Sequence, residues 1–284
     1  MVWMTAAYVF SMGVGWGFWM LGQTSLPPLW NLLWADIGAT LAIFAASLFF
    51  NNSSLYDPFW SITPMALVAL ALMSTGRTFN AVDWGILIGV WFWGGRLTYN
   101  FLRSWPGLRH EDWRYQNFRK STGGLYWIVS LTGIHFFPTL LVFAGLGGAL
   151  ECILNAGDVN LFWALTGFTL CVVATLIEAI SDNQLLAFNR AKKTGGGAII
   201  NEGLWRYSRH PNYFGEWLFW FGLGCLSYGG GASWWWVVGG PLAMLALFLL
   251  ASIPMLDKRS LERRPGYAEH MKAVSGFMPL PPKQ

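Results

Sequence analysis

The sequence predicts an all-α, polytopic membrane protein with about seven to eight spanning helices. Three observations lead there. Of the 284 residues, 55% are hydrophobic and only 11% charged, less than half the roughly 25% charge of a soluble domain. The 19 Trp, 21 Phe and 9 Tyr exceed the needs of one soluble core and suit a lipid-facing body with aromatic belts. The apolar residues also fall into long runs. Eight spans at about 20 residues each take ~160 residues and leave ~120 for loops, enough for one ligand site within a single integral membrane domain, 1–284. Soluble, disordered, collagen-like and disulfide-rich classes are excluded.

The runs lie at roughly 2–21, 29–50, 61–75, 82–101, 125–150, 159–180, 212–228 and 233–253. In lipid each must be a helix, because its backbone groups find no water to bond. The first has no Lys or Arg before it (Arg77 is the first), so it reads as a retained helix and not as a cleaved leader. Runs 61–75 and 212–228 are short for a span, which calls for tilt or different boundaries. Pro64, Pro138 and Pro241 fall inside runs, where neighbouring helices must satisfy the groups they free.

Three loops carry nearly all the basic residues: 103–120, 190–209 (with Arg190, Lys192 and Lys193) and 257–283. With eight spans they share one face with both termini, which the positive-inside rule makes cytoplasmic. A bacterial inner membrane is expected in preference to endoplasmic reticulum. The charge of +4 therefore follows topology and implies no nucleic acid. Cys152, Cys171 and Cys225 are scattered, show no metal or disulfide spacing, and read as core residues. Gly195-Gly196-Gly197 reads as a flexible loop, and no internal repeat suggests a duplicated transporter.

The most informative stretch is Gly203-Leu-Trp-Arg-Tyr-Ser-Arg-His-Pro-Asn-Tyr-Phe-Gly-Glu216. Pro211 presets the first turn of a helix and extends His210 before it. The positive helix end so formed is an anion site, to which Arg206 and Arg209 add charge. Asn212 and Glu216, four apart, share a face that enters the membrane, where an acid ordinarily has a partner and a task. A lipid-headgroup anchor explains the Arg and Tyr residues and leaves Glu216 unexplained. Glu178 and Asp182 also share a face and point to an ion pair with Arg96 or Arg209, either in a site or purely between helices. His135 reads as a satisfied core histidine.

The 203–216 stretch resembles the C-terminal signature of the steroid 5-alpha-reductase superfamily, especially its bacterial-type membrane branch. Ser181-Asp182 with Arg190, Tyr56-Asp57-Pro58-Phe59-Trp60-Ser61, Arg96-Leu97-Thr98, Glu111-Asp112-Trp113-Arg114-Tyr115 and Arg264-Pro265-Gly266-Tyr267 resemble further blocks. The likeness runs from about residue 55 to the end, which sets variable N-terminal helices (1–55) apart from a reductase-like core (56–284). It implies a helix bundle holding NADPH in a cavity open to the cytoplasm. It also implies reduction of a carbon–carbon double bond conjugated to a ketone in a lipophilic, steroid-like or other lipid substrate. Carried over by motif, Arg96, Asp182, Arg190, Tyr207, Arg209, His210, Asn212 and Tyr213 face the nucleotide, Asp257, Arg259 and Tyr267 complete its pocket, and Glu216 lies toward nicotinamide or substrate. The steroid enzymes have an early Gln-Glu pair and a Tyr three residues before the matching Arg. No such pair stands here, and Trp93 occupies the Tyr position, so steroid specificity is not implied.

Conjugate reduction needs a delivered hydride, a hydrogen-bond donor at the carbonyl and a proton for the adjacent carbon. The donor candidates are Tyr99, Tyr56 and a protonated Glu216, with Asp57 as an orienting group. The 109–115 loop reads either as a cover for the adenine end of a nucleotide or as a solvated loop with internal salt bridges. No metal and no protein partner are expected. The rival reading is an S-adenosylmethionine-dependent methyltransferase of the isoprenylcysteine carboxyl methyltransferase type, which shares the Arg-His-Pro-x-Tyr-x-Gly element.

Overall fold

The computed structural model describes residues 2–191 and 199–283; Gly195-Gly196-Gly197, Lys192 and Lys193 lie outside them. Among the described residues all regular structure is helical. The helices are α1 (Val2–Gly22), α2 (Pro28–Phe49), α3 (Phe59–Ser74), α4 (Ala81–Ser104), α5 (Trp113–Thr122), α6 (126–155), α7 (Leu161–Ala191), α8 (Pro211–Gly229), α9 (Trp234–Arg263) and α10 (Tyr267–Ala273). Single turns at Ser53–Tyr56, Gly123–Leu125 and Gly203–Arg206 join them. Each apolar run coincides with a helix. Among the described residues, five helical stretches are long and apolar enough to cross a membrane: Pro28–Phe49, Ser53–Ser74, Trp113–Asn155, Leu161–Ala191 and Trp234–Arg263. The other three runs form α1, α4 and α8.

Local chemistry sets the boundaries. A capping box between Asn80 and Asp83 starts α4, and Asp83 also holds Arg77 in the preceding loop. Pro28 and Pro211 open α2 and α8 at positions where a missing N–H costs nothing. Two helices contain π-helical turns, Ser130–Phe136 in α6 and Phe248–Ser252 in α9. Each turn lies just before a proline, Pro138 or Pro254. A helical proline lacks a donor and pushes against the carbonyl four residues back, and a widened turn relieves both faults.

Lipid offers helices little hydrophobic reason to associate, so close packing of small residues has to hold them together. The most extensive pairing is α7 with α8. A Cβ at Gly167 would overlap the backbone of Leu226, and one at Gly215 would lie 2.6 Å from Glu178 Cγ, so these glycines let the two backbones approach. Trp93 stacks on Phe219 at 4.6 Å, and Trp220 meets Trp93 edge-on at 5.1 Å. Two apolar clusters result. One is built by α3, α4 and α6–α9; the other joins α1 and α2 to the 55–59 segment, α5 and the start of α6. Cys152, Cys171 and Cys225 are buried and free.

Candidate functional site

A cavity of about 770 Å³ lies at the seam of the two clusters. Tyr56, Trp60, Tyr115 and Ile134 wall it from one cluster, Val142, Met244 and Phe248 from the other. It opens at exposed Ser104, Pro106 and His110, in the basic 103–120 segment. A second gap lies between the π turns of α6 and α9, where exposed Gly133, Phe137 and Ala251 are also lining residues. Both widened turns therefore border the cavity.

Its polar wall comes from α4, α7 and α8. Arg96 pairs with Glu178 and, through Nη1, with Asp182 Oδ2 at 2.5 Å. Asp182 also accepts from Asn100 Nδ2 at 2.9 Å and Asn212 Nδ2 at 3.3 Å. Glu216, 7% exposed, accepts from the indole N–H of Trp220 at 2.9 Å (Oε1) and of Trp93 at 3.0 Å (Oε2). With both oxygens so occupied, Glu216 is an anchored acceptor here. Arg96 Nε and Glu178 Oε1 are buried without partners, an orphan donor and an orphan acceptor on an ion-paired couple. Across the cavity the Tyr115 hydroxyl donates to Asp57 Oδ1 at 2.5 Å, and Tyr56 Oη lies 2.8 Å from Thr139 Oγ1.

Of the residues singled out in the sequence, Arg96, Asp182, Asn212, Tyr213 and Glu216 line this cavity, as do the donor candidate Tyr56 and its neighbour Asp57. A second group lies outside it. Arg209 donates from Nη2 and Nε to the two oxygens of Asp257 at 2.6 and 3.2 Å, and from Nη1 to the carbonyls of Val274 and Met271 at 2.6 and 3.2 Å. Four of its five N–H groups are thus committed internally, where a phosphate grip needs them free. His210 Nε2 lies 3.2 Å and the Tyr267 hydroxyl 2.7 Å from the same Asp257 Oδ1. Ser208 and the Arg209 backbone bond the carbonyls of Phe277 and Ser275. Arg209, His210, Asp257 and Tyr267 together clamp the C-terminal tail. Burial, reinforced by Asp257, pushes the Tyr267 phenol up to about 12, so it stays a donor. Burial and the neighbouring Arg209 hold His270 below the usual imidazole range.

The remaining residues scatter. Tyr99 is 64% exposed, with the Arg103 guanidinium 5.6 Å above its ring, and is not among the residues that line the cavity. Tyr207 is 42% exposed, and Arg190 is exposed two turns beyond Asp182. Arg259 lies 3.7 Å over the Trp113 ring with Nη1 unpartnered. The 109–115 loop carries one internal salt bridge, Asp112 with Arg114, and a second from Glu111 to Arg119 on α5, and is tied down by Asn52, which donates to the carbonyls of Leu108 and His110. His135 is a satisfied core residue, with Nδ1 donating to Ser130 O at 2.9 Å and Nε2 3.1 Å from Ser47 Oγ. Among the described residues no His/Cys/Asp/Glu cluster could hold a metal.

Sequence reasoning missed Trp93 and Trp220 as the anchors of Glu216, Asn100 as a support of Asp182, and both π turns. The four-residue spacing of Glu216 and Trp220 was a usable signal. Nothing in the sequence marks Asn100.

No solved structure matches the chain. It is 26% identical over 263 residues, 84% of this chain and 75% of the relative, to the uncharacterized protein C594.04c of Schizosaccharomyces pombe (strain 972 / ATCC 24843). The model of a family described as protein of unknown function, DUF1295, matches residues 43–274. That match takes in α3 to α10 and every wall of the cavity, and the chain belongs to the DUF1295 family.

Proposed function

We propose that this protein is a multi-pass membrane enzyme that uses NADPH to reduce a carbon–carbon double bond conjugated to a ketone in a lipophilic substrate. The observation that carries this reading is the polar wall of the cavity, with its orphan pair Arg96 Nε and Glu178 Oε1. The primary carboxamide of a nicotinamide offers the complement, one acceptor beside two donors. The unpartnered Nη1 of Arg259, close to Arg114, suits the phosphates of the same cofactor near the basic opening. The resemblance of residues 203–216 to the steroid 5-alpha-reductase superfamily adds independent support.

The cofactor, when bound, supplies the hydride. Glu216, pinned by two indoles, and Glu178 keep fixed negative charge beside the place where a hydride donor turns cationic, and fixed charge needs no reorganisation during the reaction. Tyr56 takes the donor role considered for Tyr99, because its side chain lines the cavity and Tyr99 does not, and its contact with Thr139 can be made with the Thr139 hydroxyl as donor. The gap between α6 and α9 admits substrate from the bilayer, and the opening near 104–112 admits cofactor from the cytoplasmic side. The placement of eight spans, with both termini on that side, belongs to the same proposal.

A second reading draws on the charge balance. The walls hold five carboxylates (Asp57, Asp112, Glu178, Asp182, Glu216) against Arg96 and Arg114, a surplus that also suits the sulfonium of S-adenosylmethionine. Thermal unfolding of the purified protein with each cofactor separates the two. A ligand at 100-fold over its Kd stabilises by about 2.7 kcal/mol. NADPH is expected to stabilise the wild type and to lose most of this effect on Arg96→Ala. Stabilisation by S-adenosylmethionine alone overturns the reductase reading in favour of the methyltransferase.

A further inference from the structure

A second hollow, of about 230 Å³, lies among α1, α2 and α3. Apart from Asp36 and Thr63, every side chain lining it is apolar. The Thr63 hydroxyl is committed to the Phe59 carbonyl at 2.9 Å. Asp36 is different. It lies eight residues past Pro28, about 12 Å along α2 from its start, within the apolar span Pro28–Phe49. It is 3% exposed, its Oδ1 is buried without a hydrogen-bond partner, and among the described residues no cation pairs with it. A carboxyl at such depth ordinarily faces a partner or marks a site, and here it lines the hollow.

The hollow has an entrance. Trp16 and Met73, both lining residues, are 50% and 71% exposed, so the hollow reaches the outer surface of the apolar helices. It is not a packing fault between α1 and α2, since a Cβ on Gly15 would meet Ala35 O and Ala39 Cβ at 3.0 Å. The room comes from the short side chains Ala66 and Ala69 on α3. Asp36 and all the α1 and α2 lining residues precede the family-matched segment 43–274.

We infer that this hollow binds a membrane-borne amphiphile with a hydrogen-bond-donor head, a lipophilic alcohol or primary amine, whose aliphatic chain fills the alanine-lined space and whose head donates to Asp36. The inference is independent of the reductase reading, because the walls of the two cavities share no residue.

The test measures unfolding temperature of the full chain in phosphatidylcholine nanodiscs against increasing n-decanol, n-decylamine or n-decane. At least one of the first two raises it saturably, and n-decane does not. Asp36→Leu removes the acceptor along with a buried unpartnered carboxyl, so the ligand-free variant folds at least as stably as wild type while binding weakens roughly 10- to 100-fold. Ala69→Phe keeps Asp36, fills the space and abolishes the shift. Asp36→Asn separates the sources: its amide oxygen still accepts from n-decanol, but it forms no ion pair with n-decylamine. NADPH-induced stabilisation is unchanged in all three variants. The inference is overturned if neither polar probe gives a shift, if n-decane gives an equal one, or if the shift survives in Asp36→Leu and Ala69→Phe.

Discussion

Replacing Asp257 with Leu asks whether the Arg209-His210 pair grips a ligand or a piece of the protein itself. The side chains of Arg209 and Asp257 are only 9% and 8% exposed, and three donors converge on the carboxylate, from Arg209, His210 and Tyr267. Removing one member of a buried ion pair leaves the other charge uncompensated, at a cost of about 3–5 kcal/mol. At roughly 2–4 °C per kcal/mol for a large domain, a cooperative loss lowers Tm by about 6–20 °C. If the tail instead detaches alone, the same energy appears as protease cleavage within 264–283 while the bundle stays folded. The pair carries an internal control. Arg209→Leu added to Asp257→Leu removes the orphaned charge, and buried pairs replaced by apolar residues are often neutral in stability. The double variant therefore loses less than the sum of the two single variants, although the carbonyls of Val274 and Met271 also lose the Arg209 bonds. Purely additive destabilisation, or a stable Asp257→Leu protein with an intact tail that has merely lost cofactor affinity, would refute the clamp.

Gly215→Ala places a Cβ 2.6 Å from Glu178 Cγ and 3.0 Å from Ala174 O; the forced separation of α7 and α8 costs about 1–3 kcal/mol, read by thermal unfolding, and weakens NADPH binding through the displaced Glu178. Trp93→Phe and Trp220→Phe each remove one N–H from Glu216, at about 1.5–3 kcal/mol for a bond to a charged group; stability equal to wild type in both would show that Glu216 is not held as described. His270 has its folded pKa depressed, so the unfolded chain binds the extra proton first. Its contribution to tail stability is present above the ordinary imidazole pKa of about 6.5 and falls as pH drops through that value. His270→Asn should flatten the pH dependence of tail proteolysis below about pH 6.5.

Much of the fold was legible because lipid leaves a chain few choices. All eight apolar runs became helices, and Pro211 opened α8 as its fixed φ requires. Two boundaries extended beyond the runs, α7 to Ala191 and α9 to Arg263, because helical geometry continues through polar residues such as Asp182 and Asp257 once their side chains find partners. The candidate site was half legible. Four-residue spacings placed Glu178 beside Asp182, and Asn212 beside Glu216, on shared faces. The face that Arg209 and His210 present was hidden, since it depends on a tail some fifty residues later folding back onto them. The partners of Glu216 were equally hidden, because a tryptophan in an apolar run looks like any other core residue until its N–H finds an acid.

The two widened turns carry a geometric consequence for the cavity. Each residue of an ordinary α-helix rotates the chain by about 100°, so a turn that accommodates an additional residue resets the angular phase of everything after it. Pro138, Leu141 and Val142 follow the widened turn of α6 and face the cavity. Without that turn they would sit on another azimuth and the wall would be redrawn. The shape of the chamber is therefore set partly by counting, and deleting Leu131, which does not border the chamber, would rearrange it without changing any side chain that does.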